Sequence, residues 1–426
     1  MSQLIDKRDI EAILLDQREE LYNRKRKNFC RRAEEILVDL DSPQAQAVIG
    51  VRRSGKSTLC FLTLENAHVN YGYVDFDDER LSEISASQLN DVLEILYKIN
   101  GEMTHLFFDE IQNVDKWYFF VNRLLRANLH IVLTGSNAKL LSGELATHLT
   151  GRAKQIHLYP FSFREYCEMK GTDVEGQSTR LKALRSARFD EYLHNGGFPE
   201  LLLIKDSRTY VKDLVDNILR RDIEQRYSIV YKSSFEQMAQ HLLNIAPTKI
   251  VAKDLAAIFH IKSEHTAKNY LDYLKQSFVL IGICKYSTKS KIRITQEKVY
   301  PIDVSLMNRR ENAMAGENLG WRLETVVLLA LMRKCKMNGW DIYYLDERSG
   351  ECDFIVCNGG NVIEAIQVSF NISNPKTFKR EIKGLLLAAK KSGCRNLTLL
   401  TDHNYGTHIV DDISINILPV SDWVLQ

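Results

Sequence analysis

Residues 46–62 read Gln46-Ala47-Val48-Ile49-Gly50-Val51-Arg52-Arg53-Ser54-Gly55-Lys56-Ser57-Thr58-Leu59-Cys60-Phe61-Leu62. The stretch Gly50 to Thr58 fits G-x-x-x-x-G-K-[ST] in full. An apolar strand-like run precedes it and an apolar helical pattern follows, which is the context a phosphate-binding loop needs. The glycines let the backbone wrap closely around phosphates. Successive N–H groups then form an anion nest at a helix N-terminus. Nucleotide binding is therefore expected at Gly50, Arg52, Arg53, Ser54, Gly55, Lys56, Ser57 and Thr58. Lys56 is expected to reach the β- and γ-phosphates of ATP, and Ser57 to hold Mg²⁺.

Downstream, Leu106-Phe107-Phe108-Asp109-Glu110 is an apolar strand ending in two carboxylates. Asp109 should orient the Mg²⁺ shell, and Glu110 should polarise the attacking water. A glutamate directly after the aspartate favours an additional-strand ATPase over a kinase or a Ras-like GTPase. A third run, Ile131-Val132-Leu133-Thr134-Gly135-Ser136-Asn137, puts polar residues at a strand's C-terminal end. In open α/β sheets that end faces the ligand crevice, so Ser136 or Asn137 is expected to sense the γ-phosphate. Gly151-Arg152 follows the next helical stretch. An arginine there can reach a neighbouring subunit's nucleotide and stabilise transition-state charge, with Arg123 and Arg126 as alternatives.

Working outward, short apolar runs (46–51, 71–77, 105–111, 130–136, 153–159) alternate with helical stretches, the signature of βαβ units and a parallel sheet. Residues 8–40 read as helix by the spacing of Ile10, Ile13, Leu14, Leu21, Ile36 and Leu37. Residues 161–245 are helical by pattern, with breaks at 171–179 and 195–199. At 426 residues the chain is too long for one ordinary core. Its 45% hydrophobic and 26% charged residues exclude a disordered chain. A net charge of +2 gives no global pull on nucleic acid, so such a partner needs a local basic patch. Cys352 and Cys357 have no second pair to complete a zinc site, and the cysteines read as reduced thiols. The charged start Asp6-Lys7-Arg8-Asp9, and the lack of a run of about 18 apolar residues, point to the cytoplasm and away from a membrane.

The loop 50–57, Val74-Asp75-Phe76-Asp77-Asp78-Glu79-Arg80, Thr134 to Ala138, Thr150-Gly151-Arg152, Pro160-Phe161-Ser162-Phe163 and Gly196-Gly197-Phe198-Pro199-Glu200 together resemble one family. This is the prokaryotic AAA-type, archaeal-ATPase-like group that carries a C-terminal domain of unknown function. The resemblance covers essentially the whole chain. It implies an α/β fold, with a P-loop NTPase parallel sheet of AAA+ type in residues 1–160. A helical lid (161–245), a winged helix (246–306) and a restriction-nuclease-like α/β domain (307–426) follow. ATP and Mg²⁺ are the expected cofactors, and a homo-oligomeric ring is the expected assembly.

The middle block carries its own signal. Helix 251–259, a turn at His260-Ile261-Lys262, a second helix capped by Ser263 and two strands around a polar loop follow the winged-helix order. The second helix offers His265, Lys268, Asn269 and Lys275. The wing offers Lys285, Lys289, Lys291, Arg293 and Lys298. DNA contact is expected through Lys268, Lys289, Lys291 and Arg293. In the last block, Glu324, Asp353 and the strand Ile363-Glu364-Ala365-Ile366-Gln367-Val368-Ser369 are similar to a PD-(D/E)xK core. The pattern departs where Gln367 and Ser369 stand in the E-x-K place, so nuclease activity is not expected. Two functions follow. One is an ATPase that moves DNA-contacting domains; the other is a protein-directed ATPase switch.

Overall fold

Five of the apolar runs form one parallel sheet. They are β1 (Ala45–Ile49), β2 (Tyr71–Asp75), β3 (His105–Asp109), β4 (His130–Gly135) and β5 (Ala153–His157), in the order β2-β3-β4-β1-β5. The computed structural model describes residues 4–24, 29–136, 149, 151–287, 289, 296–309 and 319–426. Contacts divide the chain into two compact units: residues 1–159 with Gln276–Phe278, and residues 160–275 with 279–426. β1 and β3 are buried along their whole length, as strands covered on both faces must be. α2 (Lys56–Asn66) contributes Leu59, Cys60, Phe61 and Leu64 to a core with Val48, Phe107, Val132 and Ile156. α1 (Lys7–Arg24), α3 (Leu89–Asn100) and α4 (Trp117–Arg126) complete the layers. On α3 the buried residues are Leu89, Val92, Ile95 and Leu96, one helical face. The helix read over 8–40 is not continuous: residues 29–32 are not helical, and Ala33–Leu37 is a single 3₁₀ turn.

The second unit begins with α5 (Phe163–Met169), α6 (Thr179–Asn195), α7 (Ser207–Asn217), a π-helical stretch Ile218–Glu224 and α8 (Lys232–Ile245). Then come β6 (Thr248–Ile250), α9 (Ala252–Ile258), α10 (Glu264–Gln276), β7 (Leu280–Lys285) and β8 (Glu297–Pro301). The last block holds α11 (Leu319–Asn338), β9 (Asp341–Glu347), β10 (Gly350–Asn358), β11 (Asn361–Ser369), α12 (Pro375–Ser392), β12 (Leu397–Thr401), β13 (Gly406–Val410), β14 (Ile413–Pro419) and a terminal turn, α13 (Val420–Trp423). A nine-stranded mixed sheet runs β13-β14-β12-β11-β10-β9-β7-β8-β6. Period-two alternation sends Phe354 and Val356 to the face shared with α11, and Ile355 and Cys357 to the face shared with α12.

The strands read as a separate wing are therefore part of the last block's sheet. β7 pairs in parallel with β9 through Cys284↔Tyr343 and Lys285↔Tyr344. No sequence pattern specifies that pairing, because a long-range strand contact leaves no local periodicity. β6, β13 and β14 were not read either. β6 is three residues long, and β13 is mostly exposed, so neither carries the apolar run that marks a buried strand.

Candidate functional site

The site grows from the C-terminal ends of β1, β3 and β4. After Ile49 the chain enters the loop at Gly50, where a Cβ would lie 2.1 Å from the carbonyl oxygen of Leu158. Only glycine fits where the exit of β5 presses against the loop. Gly55 has φ 95°, the left-handed conformation that glycine adopts freely, and it caps α2. The Lys56 side chain is buried, and its Nζ donates to the Val51 carbonyl at 3.2 Å. Ser57 Oγ donates to Asp109 Oδ1 at 2.9 Å, so the two residues read as magnesium ligands stand together. Ser54 is fully buried, and its hydroxyl has no hydrogen-bond partner among the described residues. Arg52 pairs with Asp77 at 2.8 Å, Arg53 is exposed and Thr58 lies half-buried on α2.

The carboxylate pair is tightly held. Thr134 donates to Asp109, and its oxygen accepts the Glu110 N–H at 3.0 Å. Burial, with Glu110 next in weight, pushes the Asp109 carboxyl up, while Thr134, Ser57 and Lys56 oppose the rise. Asp75 sits beside Asp109 in the sheet register. Burial and then the Asp109 charge lift its carboxyl to about 7. Glu110 has φ 50°, an uncommon conformation for a side-chain-bearing residue, which turns its carboxylate across the ends of β3 and β4. Its Oε2 accepts from the Ser136 N–H at 3.2 Å, the Ser136 hydroxyl at 3.1 Å and the Gln112 amide. Its Oε1 lies 3.7 Å from Lys56 Nζ.

Lys56, Ser57, Asp109, Glu110 and Ser136 thus converge. Arg152 does not. It immediately precedes β5, and its carbonyl accepts from Ala45 at the start of β1, so it lies at the N-terminal end of the strands, away from the loop. Its guanidinium is exposed and donates to Asn122 at 3.3 Å. Arg123 and Arg126 are exposed on α4. Asn137 lies outside the described residues. Three contributors went unread: Thr134, Asp75 and Arg32. A threonine ending an otherwise apolar strand was an available signal for the first. Arg32 had none, being one more cation in a basic segment. The loop fits a nucleotide, since a buried orphan hydroxyl and a cradle without room for a Cβ both ask for phosphate. Ser57 and Asp109 are the oxygen donors that would hold Mg²⁺ beside it. No group of three or more His, Cys, Asp and Glu side chains suited to hold a metal ion occurs among the described residues.

On the middle block Lys268, His265 and Lys289 are exposed, while Lys291 and Arg293 lie outside the described residues. One helix cation and one wing cation are committed to carboxylates within the chain rather than free for phosphates, contrary to the sequence reading. Lys275 is paired with Asp272 at 3.0 Å and Glu297 at 2.9 Å. Lys298 is buried, 2.6 Å from Glu324 and 3.6 Å from Asp353. The cause is the shared sheet, which carries β8 towards α11 and β10. Glu324, Asp353 and Gln367 do gather around one cavity of about 500 Å³. There Gln367 accepts the Asp353 N–H at 3.2 Å and donates to Glu381 at 2.7 Å. Glu364 accepts from Thr398 instead.

Among known proteins, residues 42–167 match a family model described as an AAA domain, and residues 186–317 one described as a domain of unknown function. An uncharacterised protein of Methanocaldococcus jannaschii, MJ1544, is 33% identical over 100% of this chain and 97% of its own length. An uncharacterised protein of Haemophilus influenzae is 29% identical over 92% of this chain and 97% of its own. Among solved structures, the Walker-type ATPase PABY2304 of Pyrococcus abyssi is 17% identical, covers 67% of this chain and 97% of its own, and has a TM-score of 0.43. No helix among the described residues is long and apolar enough to cross a membrane.

Proposed function

The chain belongs to the family of the Methanocaldococcus jannaschii protein MJ1544, and from that premise we propose that it binds MgATP at Gly50–Thr58 and hydrolyses it. One observation carries the reading. The buried, unpartnered Ser54 hydroxyl lies in a loop against which a lysine, a serine–aspartate pair and a second carboxylate are already gathered. Lys56 binds phosphate oxygens, while Ser57 and Asp109 hold Mg²⁺, which neutralises phosphate charge when bound. Glu110 accepts a proton from water, and Ser136 orients it. Arg152 lies at the opposite end of the strands from the loop, so any part it takes in hydrolysis requires a neighbouring subunit.

The target of that hydrolysis has two readings. In the first, α9, α10, β7 and β8 act as a winged helix whose exposed His265 and Lys268, with Lys289, meet nucleic-acid phosphates. The last block is then a nuclease-like fold without hydrolytic activity, supported by the order α11-β9-β10-β11-α12-β12. In the second, the appended blocks act on protein. One observation favours it: Lys275 and Lys298 are committed to carboxylates within the chain. The experiment is ATP turnover by the full chain with and without duplex DNA across a salt series. Turnover lost in Lys56→Ala and raised by DNA, with a stimulation that falls steeply with salt and vanishes in Lys268→Glu/Lys289→Glu, supports the first reading. Turnover indifferent to DNA and to charge reversal supports the second. Undiminished turnover in Lys56→Ala overturns the assigned site.

A further inference from the structure

We propose that Arg32 is a positioning residue for the phosphate loop, clamping it from behind in the shape that receives nucleotide; the inference rests on the ATP-binding reading above. Arg32 is 5% exposed. Its own N–H donates to Glu35 Oε1 at 3.2 Å, at the start of the 3₁₀ turn Ala33–Leu37. Its guanidinium spans two carbonyls from distant parts of the chain. Nη1 donates to Ser54 at 3.0 Å, and Nη2 donates to Tyr159 at 2.7 Å.

The two carbonyls explain the role. Tyr159 lies just beyond β5, where Leu158 N–H donates to the Ile49 carbonyl at 2.7 Å and leaves no room for a Cβ on Gly50. The strand exit thus supports the start of the loop directly. Arg32 ties a second point, Ser54, to the same exit. A trans peptide is planar, with its C=O and N–H pointing in opposite directions. Holding the Ser54 carbonyl on the outside therefore turns the Gly55 N–H inward, towards the phosphate nest. The loop needs that restraint, because Arg53 at φ 66° and Gly55 at φ 95° both occupy the left-handed region. Without the clamp the peptide between Ser54 and Gly55 can rotate, and the nest is populated for only part of the time. Affinity falls by that fraction. A lysine cannot reproduce the clamp, since it lacks the rigid planar fork that meets two acceptors at once.

The test is binding of a fluorescent ATP analogue with Mg²⁺ to the full chain, alongside steady-state turnover and the melting temperature without nucleotide. Wild type, Lys56→Ala, Arg32→Met and Arg32→Lys are compared. Arg32→Met should weaken analogue binding by about tenfold or more and raise KM in parallel, with kcat at saturating ATP less affected. Arg32→Lys should fall between it and wild type. If Arg32→Met does not fold, Arg32→Lys decides alone, and wild-type affinity in it overturns the clamp. A lower melting temperature with unchanged affinity makes Arg32 merely structural and refutes the inference while leaving the ATP site standing. If wild type binds no analogue, the ATP-binding reading falls and the inference falls with it.

Discussion

Lys298→Met isolates the ionic cluster of the second unit. The substitution keeps an unbranched side chain of similar length and removes the ammonium that lies 2.6 Å from Glu324 and 3.6 Å from Asp353. Two carboxyl groups then face one buried site without that cation. Burial and the Glu324 charge already lift the Asp353 carboxyl to about 8, with Lys298 opposing. In the variant Asp353 stays protonated to still higher pH, while Glu324 keeps the Tyr300 hydroxyl at 2.6 Å. Removing one partner of a buried ion pair costs about 3–5 kcal/mol. Asp353 is already largely protonated near neutral pH, so the lower end, ~3 kcal/mol, is expected there. For a unit of this size that is roughly 6–12 °C in melting temperature. The pH dependence has a definite sign. Carboxyls whose folded-state pKa is raised bind protons more tightly folded than unfolded, so stability is lost as pH rises from the ordinary carboxylate range through the folded value. The deficit relative to wild type should change little between about pH 5 and neutral pH and be larger near about pH 9, where wild type has ionised Asp353 and the variant has not. Calorimetry of the nucleotide-free chain across that range gives the readout, with Lys298→Met/Glu324→Leu beside it. The apolar pair should recover most of the loss. A melting temperature within about 1 °C of wild type near pH 9, or a deficit that grows in acid, would refute the reasoning.

Other outcomes follow from the first unit. Glu110→Gln should bind ATP at least as well as wild type but turn it over about 10²-fold more slowly or worse, measured in single turnover; normal turnover removes Glu110 as the base. Asp75, held at about 7 by burial and Asp109, should make the nucleotide-free first unit less stable as pH rises from about 4 to 7. Asp75→Asn should flatten that slope in a melting series, and an unchanged slope would show that the carboxyl is not the source.

The loop and the strands around it were legible because each carries a local signal. Val48 to Thr58 combines an apolar run, fixed glycines and a helix start, and Phe107-Phe108-Asp109-Glu110 ends a buried run in charge. What was not legible depends on contacts between segments far apart in sequence. Arg32 meets Ser54 and Tyr159 only because the exit of β5 lies against the loop. Lys298 looked like a wing cation because Glu297-Lys298 opens a strand beside a basic loop. Its side chain turns inward only because β7 joins β9 and carries β8 towards Glu324. The departure of Gln367 and Ser369 from an E-x-K pattern was readable. That a lysine from another strand occupies the same cavity was not.

The same geometry says why Glu110 should affect binding as well as turnover. Its Oε1 lies 3.7 Å from Lys56 Nζ, while Oε2 is held by Ser136 and Gln112. The fold thus sets the assigned base against the assigned phosphate lysine, and both side chains are largely buried. A phosphate anion arriving at Lys56 competes with that carboxylate. Neutralising the residue as glutamine removes the competitor, and the Ser136 contacts can still be made to its amide oxygen. Tighter ATP binding together with lost hydrolysis would assign both effects to this one contact. Weaker binding in Glu110→Gln would mean instead that the carboxylate supports the loop, and that the Lys56–Glu110 pair does not oppose nucleotide.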